Sequence, residues 1–240
     1  MIPTYNEKEN IGRLLDEIMK LPVYTKVVVV DDNSPDGTAE IVKKHPEFEK
    51  RVFLLFREDD KGRGRAGIAG FQYALDAGSD YIIEMDCDFS HHPRYIPDLI
   101  KEMENCDVSI GSRGVKGGYE TGRGLSRRWI TKFANFYIRL IMGIRGINDC
   151  TSGYRCFKRE VLENIRMDKM ESVGPSIVEE ILYACWFLGY TMKEIPIVFE
   201  DRTEGDSTKN LGEYVDTALR IIRFRQKINK DFFKTKFVRD

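Results

Sequence analysis

Short apolar segments alternate with segments of helical periodicity along the first half of this chain. The strand-like segments, several of them rich in β-branched residues, cover 26–31, 51–56, 80–86 and 107–111. The segments with apolar residues at helical spacing cover 7–20, 34–44, 65–77 and 94–104. Strands joined in this way form a mostly parallel sheet flanked by helices on both faces. We therefore predict an α/β fold.

The second half of the chain is less regular. We predict a flexible glycine-rich loop at 114–124 and an amphipathic helix at 126–142. The further predicted elements are a strand at 154–158, helices at 159–165 and 176–188, a strand at 192–199 and a last helix at 210–229. No repeat or linker-like composition interrupts the sequence, so we predict one domain over residues 1–240. Only two residues precede Pro3, and we expect the first strand to be truncated in this sequence.

Composition excludes several classes of protein. A net charge of −1 with 42% hydrophobic and 11% aromatic residues excludes intrinsic disorder. Five cysteines without a C-x-x-C pair exclude a disulfide scaffold and provide no paired zinc ligands, so we expect a reduced, cytoplasmic chain. The sequence contains no window of about 18 uncharged apolar residues, so we expect no transmembrane helix. Its start has no features of a secretory signal.

The small net charge conceals an asymmetry between the two halves of the chain. Residues 1–120 contain 16 Lys and Arg against 23 Asp and Glu, whereas residues 121–240 contain 22 against 16. Such segregation of charge indicates that the two halves have different partners.

Two predicted strands end in pairs of carboxylates. Asp86 and Asp88 follow an apolar strand, and Asp31 and Asp32 end an earlier one. Ligands of open α/β sheets bind at the carboxyl ends of strands, and two carboxylates at i and i+2 can hold Mg²⁺ or Mn²⁺ together with substrate phosphates. Acids also occur at strand ends without a further role, but the repetition of the pattern favours function.

Two neighbouring motifs carry weaker functional signals. The G-x-G-x-x-G of residues 62–67 is separated from the preceding strand by a charged run, so we interpret it as a turn into a helix and not as a dinucleotide site. His91 and His92 follow the acidic pair. A histidine beside carboxylates can be a third metal ligand, but a polar loop residue is the simpler interpretation.

The helix predicted at 126–142 carries a polar stripe beside an apolar face. The polar stripe consists of Arg128, Lys132, Asn135 and Arg139, and the apolar face centres on Trp129, Phe133, Phe136 and Leu140. This pattern is typical of a helix at a membrane surface and equally of a core-facing helix. The tail 217–240 has eight basic and two acidic residues, which favours anionic lipid headgroups as a partner. No recognised nucleic-acid motif is present.

Six motifs follow one another in order along the chain. They are Pro3-Thr4-Tyr5-Asn6-Glu7, the segment from Asp31 to Thr38, the segment from Asp86 to Pro93, Gly111-Ser112-Arg113, the segment from Asp149 to Arg155, and the segment from Asp201 to Ser207. In this combination the sequence resembles the polyprenol-phosphate (dolichol-phosphate) mannosyltransferase group of the inverting family 2 glycosyltransferases, over nearly all of residues 1–210. The resemblance implies a GT-A type, Rossmann-like fold with C-terminal amphipathic helices.

The resemblance also implies roles for individual residues. The nucleotide's base and ribose would be held by Pro3, Tyr5, Glu7 and Asp32. A metal, Mg²⁺ or Mn²⁺, and the donor diphosphate would be bound by Asp86 and Asp88, with Ser90 where relatives offer Gln to the metal. Phosphates, including that of a lipid acceptor, would be held by Arg113, Ser126, Arg127 and Arg202. Thr208 stands where the last motif has Lys, and Lys209 is its candidate replacement. Catalytic roles would fall to Asp88, Arg113 and Arg202.

The activity implied by the resemblance is transfer of mannose, with inversion, from GDP-mannose to a polyprenyl (dolichyl) phosphate. Residues 1–120 would form the nucleotide-sugar and metal half, and residues 121–240 the acceptor and membrane-facing half. The enzyme would be peripheral on the cytoplasmic face of the membrane, alone or with small membrane-protein partners, and would not bind nucleic acid. Three alternatives remain open: a UDP-glucose-dependent glucosyltransferase, a haloacid-dehalogenase-type phosphatase with Asp86 as nucleophile, and a non-enzymatic lipid-surface protein.

Overall fold

The alternation of strands and helices predicted for the first half is confirmed. A computed structural model describes residues 1–122, 124–200 and 211–228, without the side chains of Leu125 and residues 211–217. The strands are β1 (Ile2–Thr4), β2 (Val27–Asp31), β3 (Val52–Phe56), β4 (Tyr81–Glu84), β5 (Val108–Ser112), β6 (Tyr119–Thr121), β7 (Arg155–Lys158), β8 (Met192–Pro196) and β9 (Val198–Glu200). The helices are α1 (Lys8–Met19), α2 (Thr38–Lys43), α3 (Arg63–Asp76), α4 (Ile96–Glu102), α5 (Leu125–Met142), α6 (Arg159–Asn164), α7 (Ile177–Phe187) and α8 (Leu211–Lys227).

The strands form a mixed sheet that is parallel at both ends. Strands β3, β2 and β1 are parallel neighbours, and β4, β7, β5 and β8 follow in that order. Within the second group β7 is antiparallel to β4 and β5, whereas β5 and β8 are parallel. Backbone hydrogen bonds of Met1 with Ile83 and Met85 join the two groups. A separate parallel pair, β6 and β9, lies beside them.

The sheet separates two apolar cores. Along β2, Val28 and Val30 face the core that is covered by α3, α5, α6, α7 and α8, whereas Val27 and Val29 face the core covered by α1, α2 and α4. A strand that is buried on both faces in this way is an uninterrupted apolar run, which is what the sequence contains. Among the described residues, no helix combines the length and the apolar character needed to cross a membrane.

Three predicted elements differ from the structure. The helix predicted from Ser34 begins only at Thr38, because the Ser34 amide and hydroxyl instead donate to Asp31. The glycine-rich loop at 114–124 contains β6. The strand predicted at 192–199 is two strands, since the chain leaves β5 after Pro196 and pairs with β6 through β9.

The glycines of the G-x-G-x-x-G motif allow close packing at the start of α3. A Cβ on Gly64 would lie 2.2 Å from the carbonyl oxygen of Ser172 and 2.9 Å from that of Gly174. The Gly64 amide donates to the carbonyl of Val173 at 2.6 Å. Gly62 has a φ of +132°, a conformation that other residues rarely adopt. The interpretation of this motif as a turn into a helix is therefore confirmed.

We expect Gly64→Ala to destabilise the fold, because its methyl group would meet backbone oxygens that cannot rotate away. The free energy of unfolding in urea should fall by about 1–3 kcal/mol. Gly174→Ala is the matched control, since an added Cβ there has no atom within 4 Å. Equal stability of the two variants would contradict this account.

Candidate active site

The turns that follow β1 and β2 are tied together by side-chain hydrogen bonds. The Ser34 hydroxyl and amide donate to the buried carboxylate of Asp31 at 2.6 and 2.9 Å. The amides of Asn6 and Glu7 donate in turn to the hydroxyls of Ser34 and Thr38, both at 3.0 Å. Of the first acid pair, Asp31 is thus a structural residue that shapes this edge of the sheet.

Three of the residues predicted to hold a nucleotide lie at this edge. Pro3 is buried within β1, opposite Val30 of β2. Tyr5 follows the strand and is 58% exposed. The Glu7 carboxylate accepts a hydrogen bond from the Asn10 side chain at 2.9 Å. The Tyr5 ring is therefore the part of the motif that is open to stacking by a planar base.

Asp32, the fourth predicted nucleotide residue, lies beside them at the end of β2. Its carboxylate is buried and accepts from the Arg57 guanidinium at 2.8 Å and from the Gly62 amide at 2.7 Å. Because the two donors engage different oxygens, they fix the plane of the carboxylate. Asp32 is held in one orientation at the edge of the site.

Asp86 lies two residues beyond β4 and is linked to a buried ion pair. The guanidinium of Arg63, at the start of α3, donates to Glu84 at 2.7 Å and to Asp86 at 3.2 Å. The Glu84 side chain is almost completely buried, whereas that of Asp86 is 36% exposed. Burial opposes the charge of Arg63, but the two carboxylates raise its pKa above the ordinary value. Arg63 thus stays charged and offsets part of the negative charge at this edge.

Asp88 is oriented by the residue two places further on. The Ser90 hydroxyl and amide donate to the same Asp88 oxygen at 2.6 and 3.1 Å. Phe89 between them has a φ of +61°, a left-handed conformation that turns the chain back. Ser90 is buried and its hydroxyl orients Asp88, while its direct ligation of a metal stays a prediction.

His91 is a buried packing residue and does not lie in a solvated loop. Its Nδ1 accepts from the Asp86 amide at 3.0 Å. Its ring stacks on Tyr154 with centroids 5.0 Å apart and meets the edge of Phe199 at 6.0 Å. Burial lowers the pKa of His91, although Asp86 and Asp88 act in the opposite direction. Through its Nδ1 acceptor, His91 holds the backbone of Asp86 in place.

Arg113 directly follows Ser112, the last residue of β5, and acidic side chains hold its guanidinium. Its Nε and Nη2 donate to the two oxygens of Asp149 at 2.7 and 2.6 Å, and Nη2 also donates to Thr151 at 2.7 Å. Nη1 lies 3.3 Å from Glu120, and the guanidinium lies over the Phe199 ring at 5.0 Å. Burial opposes both charges, yet their contact raises the pKa of Arg113 and lowers that of Asp149. The bidentate pair fixes the plane of the guanidinium.

Phe199 contacts both His91 and Arg113, and it thereby joins two ends of one site. We call Asp86 and Asp88 the acidic end and Arg113 with its Asp149 partner the arginine end. The first turn of α5, which contains the exposed Ser126 and Arg127, reaches the arginine end because Arg128 donates to the Glu120 carbonyl at 2.7 Å. The other predicted phosphate ligands, Arg202 and Lys209, lie outside the described residues.

An apolar stripe on α5 points away from the core. The side chains of this stripe are between 55% and 70% exposed: Trp129, Phe133, Phe136 and Leu140. On the opposite face, Ile138 and Met142 are buried in the core. The interpretation of this stripe as core-facing is therefore wrong. Asn135 belongs to the polar stripe of the sequence pattern, yet it is buried.

The oxygen donors of the acidic end suit a hard divalent cation. Magnesium and manganese are usually bound by one or two carboxylates together with substrate phosphates. Asp86 and Asp88 are such a pair, and no set of three or more His, Cys, Asp and Glu residues in the described part of the chain could form a complete protein cage. The residues present fit a cation that is completed by a bound phosphate group.

A family model described as glycosyl transferase family 2 matches residues 1–166. The chain belongs to this family. Family membership identifies it as a glycosyltransferase and therefore argues against the two alternatives of a phosphatase and a non-enzymatic lipid-surface protein. This match, together with the two relatives and the solved structures described next, confirms the GT-A fold and the resemblance inferred from the six motifs.

Two relatives are similar over most of their length. Undecaprenyl-phosphate mannosyltransferase of Micrococcus luteus is 34% identical over 224 residues, which are 93% of this chain and 92% of the relative. Polyprenol monophosphomannose synthase of Mycolicibacterium smegmatis is 36% identical over 212 residues, which are 86% of this chain and 78% of the relative.

Solved structures with low sequence identity share the fold. A mycobacterial protein superimposes with a TM-score of 0.69 at 18% identity, covering 96% of this chain and 74% of the other. Glucosyl-3-phosphoglycerate synthase from Mycobacterium tuberculosis, in complex with Mn²⁺, UDP-glucose and glycerol 3-phosphate, gives a TM-score of 0.63 at 18% identity, covering 93% and 76%.

Sequence reasoning missed the partners that hold the predicted ligands. The sequence pattern places Arg63 only in a glycine-rich turn, whereas its guanidinium contacts Asp86. Asp149 was recognised as part of a motif without a role, although it clamps Arg113. The sequence does contain a signal for a buried cation, because Glu84 interrupts an otherwise apolar strand and a buried carboxylate requires a cation, but this signal does not identify Arg63 as the partner.

We expect Asp88→Asn to abolish detectable binding of Mn²⁺ in the presence of GDP, since it removes one of two carboxylates. Ser90→Ala should weaken binding by about tenfold, because it removes only the hydrogen bond that orients Asp88. Calorimetric titration of Mn²⁺ measures both. Asp98→Asn, an exposed change on α4, is the control, and wild-type affinity in Asp88→Asn would refute the assignment.

Proposed function

We propose that this glycosyltransferase transfers mannose from GDP-mannose to a polyprenyl phosphate. The observation that carries the proposal is the adjacency of an acidic end and an arginine end, both in contact with one His91–Phe199 pair. Such a site suits two phosphate-bearing substrates, one bound with a cation and one bound by a guanidinium. The names of the two relatives, an undecaprenyl-phosphate mannosyltransferase and a polyprenol monophosphomannose synthase, support transfer of mannose to a polyprenyl phosphate.

The donor would lie along the carboxyl edge of the sheet. Tyr5 offers an exposed ring for the base, and Pro3, Glu7 and Asp32 would border the base and ribose. Asp86 and Asp88 would hold Mg²⁺ or Mn²⁺ against the donor diphosphate. The chemistry supplied by a cation bound there is neutralisation of the charge that develops on the leaving nucleoside diphosphate.

The acceptor would bring its own nucleophile. A phosphate monoester has a second pKa of about 6 and is largely dianionic near neutral pH, so it needs little help from a base. Arg113 would hold this phosphate in line with the bond from the anomeric carbon to the leaving group. In-line attack inverts the configuration at that carbon. Alignment of two bound substrates is by itself a large source of acceleration. Ser126, Arg127, Arg202 and Lys209 remain proposed phosphate ligands on sequence grounds.

The lipid chain of the acceptor gives the exposed stripe of α5 a role. Trp129, Phe133, Phe136 and Leu140 form an apolar surface with Lys132 beside it, which is the composition of a helix that lies in a membrane interface. We infer that the enzyme is peripheral on the cytoplasmic face of a membrane, alone or with small membrane-protein partners. Residues 1–240 would act as one domain, with the donor half before residue 120 and the acceptor half after it.

A UDP-glucose-dependent polyprenyl-phosphate glucosyltransferase is the second candidate. The fold neighbour with bound UDP-glucose favours it only weakly, because at 18% identity the likeness extends to the fold alone.

A donor screen tests the proposal. We expect transfer to a short polyprenyl phosphate from GDP-mannose, little from UDP-glucose, and loss of turnover in EDTA. Asp88→Ala should lower kcat by at least about 100-fold, because charge on the leaving group is no longer neutralised. Radiolabelled sugar in the lipid product is the measurement. Transfer from UDP-glucose alone would establish the second candidate, and turnover that EDTA leaves unchanged would refute the metal role.

Vesicle binding tests the role of the stripe. We expect Phe133→Asp to lower partitioning onto anionic vesicles by about tenfold or more, since it removes an exposed apolar side chain that the membrane would bury and adds a charge that anionic lipids repel. Co-sedimentation measures the partitioning. Tyr24→Asp, which changes an exposed aromatic residue distant in sequence from α5, should partition as the wild type. Equal binding by the Phe133 variant would remove the stripe from the membrane contact.

A further inference from the structure

A buried amide fastens helix α5 to the arginine end of the site. Asn135 Oδ1 accepts hydrogen bonds from the amides of Cys150 at 2.6 Å and Thr151 at 3.3 Å. Its Nδ2 donates to the Thr131 carbonyl one turn earlier at 3.0 Å. The residue is 7% exposed. Without it, two backbone amides of this loop would lose their side-chain acceptor.

The loop held by Asn135 carries the partners of Arg113. Asp149 accepts two bonds from the guanidinium, and the hydroxyl of Thr151 accepts another. The Asp149 amide donates to Glu194 of β8 at 2.9 Å. The loop is thus fixed to the sheet by Glu194 and to the helix by Asn135, and Arg113 takes its orientation from the loop.

The exposed stripe lies on a different face of the same helix. Asn135 belongs to the buried face, with Ile138 and Met142 one to two turns further on, whereas Phe133 and Phe136 point outward. A helix transmits position along its length because its backbone bonds are internal. One rigid element therefore separates the outward apolar surface from the loop that orients Arg113.

We propose that Asn135 is a positioning residue that sets Arg113 at a fixed depth relative to the lipid-facing stripe of α5. The inference rests on the proposed function, because it takes the ligand of Arg113 to be the phosphate of a lipid whose chain lies against the stripe. The amide itself touches no substrate. Asn135 holds the 149–151 loop, so that the Arg113 guanidinium lies at the depth of the acceptor phosphate when the stripe of α5 contacts the lipid.

The test separates acceptor use from donor use. Asn135→Leu keeps the size of the side chain and removes its acceptor, so it should raise KM for a vesicle-embedded polyprenyl phosphate by about tenfold while KM for GDP-mannose changes by less than about twofold. Asn135→Asp keeps an oxygen for the two amides but sets a carboxylate oxygen against the Thr131 carbonyl, so it should restore the acceptor KM only in part. Tyr137→Phe removes another polar contact of α5, its bond to the Ala218 carbonyl, and should leave both constants unchanged.

The possible outcomes distinguish this inference from the proposed function. An active wild type with an unchanged acceptor KM in folded Asn135→Leu, or with equal changes in both KM values, overturns the inference alone. A wild type that mannosylates no polyprenyl phosphate refutes the proposed function, and the inference fails with it. If circular dichroism shows Asn135→Leu to be unfolded, Asn135→Ala removes the same acceptor with a smaller side chain. A rise in acceptor KM alone then supports the inference, and unchanged constants overturn it.

Discussion

Burial of the central strands on both faces is the constraint on which the site depends. Val27–Val30 face two apolar cores alternately, and β5 is buried along its whole length. Polar side chains are costly in such strands unless they are paired. The polar side chains of the site therefore lie where the strands end. Asp32, Asp86 and Arg113 all lie just beyond strands of this sheet. The fold thereby assembles a site from segments that are distant in sequence.

The parts of the fold and the site that depend on local pattern were predictable. The apolar runs located β2, β4 and β5 to within about two residues, and the acids after them located Asp86 and Asp88. Pairings between distant residues were not predictable, because they depend on how the strands are ordered. Arg63 is 21 residues from Glu84, and Arg113 is 36 from Asp149. No period or propensity in the sequence relates such partners.

Helix α5 shows how a pattern can be located correctly and interpreted only in part. Its length and apolar stripe followed from spacing, and its outward direction is visible only in the structure. The polar pattern groups Asn135 with Arg128 and Lys132, yet the Asn135 side chain is buried and its Oδ1 accepts from the Cys150 amide. A short polar side chain that satisfies the backbone is not distinguishable, in one sequence, from one that faces water.

The charge balance around Arg113 bears on how an acceptor would bind. Its guanidinium is already neutralised by Asp149 through two short bonds, which hold the plane of the group. The contact of Nη1 with Glu120, at 3.3 Å, is the longer one. On the proposed function, this is the contact that an incoming phosphate would replace at the lowest cost, because the bidentate pair can stay. A dianionic phosphate competes with a carboxylate better than a neutral headgroup does, so the acidic clamp would favour phosphate-bearing lipids over other lipids at the same surface.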